Sequence, residues 1–154
     1  MISTRKNGHL TRRAALAGGT AVALLPRAAV AETQDMAAAI EAIAGKSPIK
    51  PGKVKLTLPE LAENGNSVSL TAVVDSPMTA ADHVKSIHVI SEKNPIANVV
   101  KFHLGPRAGR ARVSTNIRLA TTQTVTAVAA MSDGTFWSGT AEVVVTLAAC
   151  IDAG

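Results

Sequence analysis

The stretch "ARVSTNIRLA" (residues 111–120) alternates without a break. Ala111, Val113, Thr115, Ile117 and Leu119 fall on one side, Arg112, Ser114, Asn116 and Arg118 on the other. Successive side chains of an extended chain point to opposite faces, so this pattern is a strand with one face on a core and the other in water. Working outward, the same period of two recurs upstream in "VKLTL" (54–58), "SVSLTAVV" (67–74), "KSIHVI" (85–90) and "VVKFHL" (99–104). Downstream it recurs in "QTVTAVAAM" (123–131) and "TFWSGTAEVVVTL" (135–147), joined by the turn residues Ser132, Asp133 and Gly134. In the middle pair, Ile87, Val89, Val100, Phe102 and Leu104 face inward, while His88, Lys101 and His103 face outward. Seven short strands with no helical pattern between them predict an all-β, immunoglobulin-like antiparallel β-sandwich over residues 53–147. Aromatic residues are only 2% of the chain, so the core must be aliphatic.

Ahead of the strands the period lengthens. Thr33 is placed to cap a helix over 33–44, in which Met36, Ile40 and Ile43 share a stripe and Gly45 marks the end. Pro48, Pro51 and Gly52 then connect helix to sandwich. Residues 1–31 read as an export signal. A basic head is followed by an apolar run from Ala14 to Leu25, too short to span a bilayer, and Ala29 and Ala31 occupy the two positions of an A-x-A cleavage site. "TRRAAL" places Arg12 and Arg13 as a twin-arginine pair, with Ala15 where a phenylalanine is usual. The expected division is a signal over 1–31, a domain over 32–147 and a C-terminal arm over 148–154, in a protein exported to the periplasm by the twin-arginine route.

Charge excludes one class of partner. Five of the sixteen Lys and Arg residues and none of the eleven acids lie in the leader, leaving a balanced mature chain with no electrostatic reason to bind nucleic acid. No membrane partner is implied either. Metal ligation is disfavoured by spacing, because His83, His88 and His103 are isolated positions and no Cys-x-x-Cys or His-x-x-x-His pair occurs. "GPRAGRAR" gathers Arg107, Arg110 and Arg112, a set able to hold an anion but equally the solvated end of an edge strand.

One thiol remains. Cys150 cannot form an internal disulfide, and it follows the last strand in a segment without a burial pattern. No neighbouring base activates it, and Asp152 and the terminal carboxylate disfavour a thiolate. A lone thiol presented on a tail, loaded by other proteins, is one reading. A plain immunoglobulin-like interaction module without covalent chemistry is the other.

The segment "LPELAENGNSVSLTAVVDSPMT", the runs "HVISEKNP" and "FHLGPRAGRARVSTNIRLA", then "QTVTAVAAMSDGTFW" and the lone cysteine after the last strand together resemble SoxY. SoxY is the sulfur-carrying subunit of the periplasmic sulfur-oxidation system. The resemblance implies a carrier that is not itself an enzyme, has no cofactor and is paired with a SoxZ-like subunit. It further implies that a c-type cytochrome joins thiosulfate to Cys150, a hydrolase releases sulfate, and in many organisms a molybdenum dehydrogenase oxidises the remaining sulfur. The arm departs from the family's glycine-rich "GGCGG". Ala148 and Ala149 precede the cysteine, and Ile151 and Asp152 add bulk and charge after it. That departure bears on which enzymes the arm fits, and points to sulfide or polysulfide as alternative cargo.

Overall fold

The computed structural model describes residues 35–149. Nine strands follow one helix: α1 (Met36–Ala44), β1 (Ile49–Pro51), β2 (Val54–Thr57), β3 (Leu61–Ala62), β4 (Val68–Val74), β5 (Val84–Ser91), β6 (Asn98–His103), β7 (Arg112–Ile117), β8 (Gln123–Met131) and β9 (Phe136–Val145). They form two sheets. One has the order β1-β9-β8-β5-β6 with β3 also on β9, and the other is β2-β4-β7. The fold is immunoglobulin-like, as the alternation predicts.

Seven of these strands are the seven expected. β1 and β3 are additions, and both pair parallel to β9, Ile49 opposite Phe136 and Leu61 opposite Val144. Three and two residues long, they are too short to display a period. The rest of the pairing is antiparallel.

The inward-facing residues meet as expected. Val68, Leu70, Ala72 and Val74 of β4 and Ile117 of β7 pack against Ile87 and Val89 of β5 and Val125, Ala127 and Ala129 of β8. Leu70, Ile87, Leu119 and Val143 are among the largest fully buried side chains, each contributing roughly 1.5–3 kcal/mol by leaving water. The aliphatic core draws the sheets close. β2 runs so near β9 that a Cβ on Gly139 would stand 2.1 Å from the Val54 carbonyl oxygen.

The helix begins later than the sequence suggests. Its N-cap is Asp35, whose carboxylate accepts from the Ala37 amide at 3.3 Å, and Thr33 lies outside the described residues. Gly45 ends it with φ 59°, its N–H bonded to the Glu41 carbonyl at 2.7 Å. Met36, Ile40 and Ile43 lie with buried Ala39 on Ile90, Ala97 and Val128, so α1 covers the outer face of β5 and β8. On the same face one expectation is corrected. His88 does point away from the sandwich core, but it is 6% exposed rather than free in water.

Candidate functional site

The arm leaves the body at the far end of β9, and that departure is fixed by backbone hydrogen bonds. The Gly65 amide donates to the Leu147 carbonyl at 2.8 Å, the Leu119 amide to the Gly65 carbonyl at 2.8 Å, and the Ala149 amide to the Leu119 carbonyl at 3.4 Å. Three chain segments thus form a triangle: the β3–β4 loop, the β7–β8 loop and the residues after β9. Gly65 is required by close approach. A Cβ there would lie 2.3 Å from the Leu119 oxygen and 2.9 Å from the Ala149 nitrogen, separations no real side chain adopts.

Burial extends further along the chain than expected. Leu147 is 62% exposed and Ala148 is also exposed, but Ala149 is 7% exposed, where the sequence suggests little burial past Leu147. The cause is its passage between Gly65 and Leu119, which a single alanine cannot announce by periodicity. Cys150, Ile151 and Asp152 lie outside the described residues, as do Arg12, Arg13, Ala29 and Ala31.

The loop that holds Ala149 is itself held by a polar cluster. The Asn94 side chain donates from Nδ2 to the Arg118 carbonyl at 2.8 Å, and its Oδ1 accepts from the Ala120 amide at 2.9 Å, pinning both neighbours of Leu119. Gln123 Nε2 donates to Asn94 Oδ1 at 3.1 Å and to the Thr121 carbonyl at 3.0 Å. Its Oε1 accepts from the Lys93 amide at 2.8 Å and from the Ser91 hydroxyl, whose oxygen in turn accepts from the Asn94 amide at 3.3 Å. Ser91 and Gln123 are buried, so these bonds satisfy groups that would otherwise be costly. Alongside, Thr122 Oγ1 accepts from the Val145 amide at 2.9 Å, and the Thr146 hydroxyl donates to the Glu63 carbonyl at 3.0 Å.

Four runs quoted above for their resemblance supply this corner. "LPELAENGNSVSL" brings Gly65, "HVISEKNP" brings Ser91 and Asn94, "NIRLA" brings Leu119 and "QTVT" brings Gln123. Sequence reading singles out Cys150 and misses the residues that hold Ala149. The available signal is the isolated polar pair Ser91 and Asn94 after an apolar strand, with Gln123 opening the next.

The other candidates stand elsewhere. His88 sits on the outer face of β5 opposite Lys101 of β6 and Val128 of β8. Its Nε2 meets the Ser86 hydroxyl at 3.1 Å, while its Nδ1 is buried without a partner. Burial, then the charges of Lys101 and His103, push it down to about 4, so it is neutral at ordinary pH. His83 Nδ1 lies 3.1 Å from the Thr79 carbonyl. Among the described residues no group of three or more His, Cys, Asp or Glu side chains could hold a metal ion. Nor is any of their helices long and apolar enough to cross a membrane.

Arg110 and Arg112 line an open groove of about 340 Å³ with Lys53, Lys55 and Asp75. Arg107 stands exposed on the short 3-10 turn Pro106–Ala108. This basic end is the start of β7 and the arm corner lies past its end, a strand length of about 20 Å away.

The family model for the sulfur oxidation protein SoxY matches residues 39–150. A search of curated proteins matched none. Among solved structures, the sulfur carrier protein SoxY from Chlorobium limicola f thiosulfatophilum is similar at 28% identity and a TM-score of 0.62, over 74% of this chain and 98% of that one. A superoxide reductase (neelaredoxin) from Ignicoccus hospitalis is similar at 17% identity and a TM-score of 0.54, over 61% and 80% of the two chains. Another, from Nanoarchaeum equitans, is similar at 11% identity and a TM-score of 0.53, over 62% and 100%. The reductases share the fold alone. The match over residues 39–150 takes in the sandwich, the clamped corner and Cys150, and the chain belongs to the SoxY family.

Proposed function

We propose that this protein is a periplasmic sulfur carrier that binds its cargo covalently on Cys150 and presents it to the enzymes of sulfur oxidation. The observation that carries the reading is that the family match runs through residue 150 and so includes the single thiol. The position of Ala149, bonded into the body one residue earlier, supports it by giving the thiol a defined root.

The chemistry is thiol oxidation by a partner. The Cys150 sulfur forms a bond to the outer sulfur of thiosulfate, the thiol proton is released, and two electrons pass to a c-type cytochrome. Hydrolysis of the resulting S-thiosulfonate by water then releases sulfate and a proton and leaves a persulfide on the cysteine. The carrier supplies no base in this scheme, which agrees with the absence of a basic side chain beside Cys150 in sequence. From polysulfide the same thiol would take up a terminal sulfane sulfur and release the shortened chain, whereas sulfide would be joined to it only as two electrons pass to the c-type cytochrome and two protons are released. The Ala148, Ala149, Ile151 and Asp152 arm would select among the enzymes.

The partner in this reading is a SoxZ-like subunit forming a heterodimer, exported with the carrier through the Arg12–Arg13 signal and freed by cleavage after Ala31. Exposed Leu61, Val144 and Leu147 support a partner-covered surface near the arm.

Intact-mass measurement of protein from cells oxidising thiosulfate tests the central claim. Reductant-sensitive sulfur adducts should map to the C-terminal peptide and vanish in Cys150→Ser with the fold intact. A plain interaction module would carry none, and sulfur-dependent activity would survive the substitution.

A further inference from the structure

We propose that Gly65 and Asn94 are positioning residues for the Cys150 thiol, holding the arm's root in one place so that a loading enzyme must meet it at this corner of the body. The inference rests on the carrier reading.

Covalent geometry supplies the first step. The Cα of Cys150 is about 3.8 Å from that of Ala149, so wherever Ala149 is held, the thiol is held within a residue's reach. Ala149 is held. It is buried, and its amide meets the Leu119 carbonyl at 3.4 Å. Released at this bond, the chain would be free from Leu147 onward, and three residues would give the Cys150 Cα a radius of about 10 Å in place of about 4 Å.

Two side-chain features keep the root closed. The missing Cβ of Gly65 lets the β3–β4 loop lie against both the Leu119 oxygen and the Ala149 nitrogen. Asn94 then fixes the Leu119 carbonyl from both sides, through Arg118 and Ala120, and is braced by Gln123. The 3.4 Å bond is the longest of the triangle, and the apparatus converges on its acceptor. Asn94 is only partly buried, so its bonds are not explained by core packing, whereas Gly65 is buried at the point where the three segments meet. Short rooting matters chemically because a reacting atom displaced by about 1 Å from a productive approach loses rate up to about a hundredfold.

Three variants of the full mature chain test this: Gly65→Ala, Asn94→Ala, and an insertion of two glycines between Ala149 and Cys150. Three readouts are compared. They are hydrogen exchange at the Ala149 amide, the rate of Cys150 alkylation by iodoacetamide, and the fraction of Cys150 bearing a sulfur adduct in cells oxidising thiosulfate. Gly65→Ala and Asn94→Ala should speed Ala149 exchange by about tenfold or more, leave alkylation within about twofold, and lower the loaded fraction by about tenfold. The insertion should leave exchange and alkylation unchanged and still lower loading, since it moves the thiol without touching the clamp. If the insertion variant is loaded like the wild type, the proposal is overturned, whatever happens to the stability of Gly65→Ala. Loss of loading in step with lost thermal stability would also sink it. Absence of any adduct on wild-type Cys150 would instead refute the carrier reading itself.

Discussion

The two ends of the sandwich are built differently from the same strands. At the arm end, side chains bond to backbone: Asn94, Gln123, Thr122 and Thr146 tie together four loops that hold no regular structure of their own. At the opposite end the Ser132 side chain bonds the His83 amide and the Ala81 carbonyl, and main-chain bonds from Asp75 to Lys53 at 2.8 Å and from Gly52 to Ser138 at 3.0 Å tie the other segments. The rest of that end is charged. Lys53, Lys55, Arg110 and Arg112 ring an open groove, Lys53 is held at φ 55°, and the Lys50 and Lys53 ammonium groups lie 5.5 and 4.9 Å from the Trp137 ring. The lesson is about how loops are fixed. Where a loop must present something, directional side-chain bonds to satisfied partners specify one conformation; where it only closes a hairpin, main-chain bonds with charge and stacking suffice.

The largest effect expected from breaking this difference is at Leu119. Its side chain is fully buried beneath the clamp, and Leu119→Ala should cost about 2–5 kcal/mol by the cavity it leaves. Chemical denaturation measures it. Because the backbone of the same residue accepts from Ala149, the variant should also speed exchange at the arm root, a coupling absent from a comparable truncation at the other end such as Val84→Ala. A cost under about 1 kcal/mol would mean that the loop is held by the polar cluster alone.

Between the two ends lies a pH-sensitive middle. His88 titrates near 6.5 when unfolded and is pushed down to about 4 in the fold, so the unfolded chain takes the proton first. The stability is therefore complete above about 6.5 and is lost as pH falls toward about 4. The full loss is at most on the order of 3 kcal/mol, since each pH unit separating the folded and unfolded titrations is worth about 1.4 kcal/mol. His88→Leu should flatten melting temperature against pH across that window. An unchanged slope would show that the buried imidazole gains its proton without penalty.

Much of this architecture is legible in alternation. Ala111 through Leu119 display their faces correctly, and the sandwich follows. What alternation does not show is cover on the outer side. In β8, Val125, Ala127 and Ala129 line the core while Thr126 and Val128 of the other face are buried as well. A strand apolar on both faces is the signal for a second layer, and α1 is that layer. For His88 the period gives the right direction and the wrong exposure, because it carries nothing about what lies beyond the strand. The arm root is hidden for a different reason. Gly65, Asn94, Leu119 and Ala149 are far apart in sequence, and the bonds that join Gly65, Leu119 and Ala149 run through main-chain atoms whose identity no side chain encodes. Cys150 is legible because it is unique.

The smallest expected effect belongs to the basic end, where Lys53 stands at a left-handed φ of 55°. A non-glycine residue there costs roughly 1–2 kcal/mol against glycine. The ammonium, 4.9 Å from the Trp137 ring centroid, returns about 0.5–1 kcal/mol at an exposed site. Lys53→Gly in the wild-type chain removes both terms, so the two nearly offset and the net change should be a small stabilisation of about 0.5 kcal/mol. In a Trp137→Leu background the attraction is already gone, and the same substitution should stabilise by about 1 kcal/mol. The difference, a coupling of about 0.5 kcal/mol, is what a double-mutant cycle reads. It should shrink in high salt, because an exposed charge contact is open to screening by ions. A coupling of zero would leave the left-handed lysine without compensation, and the basic end would then need a structural reason for keeping it that the stacking does not provide.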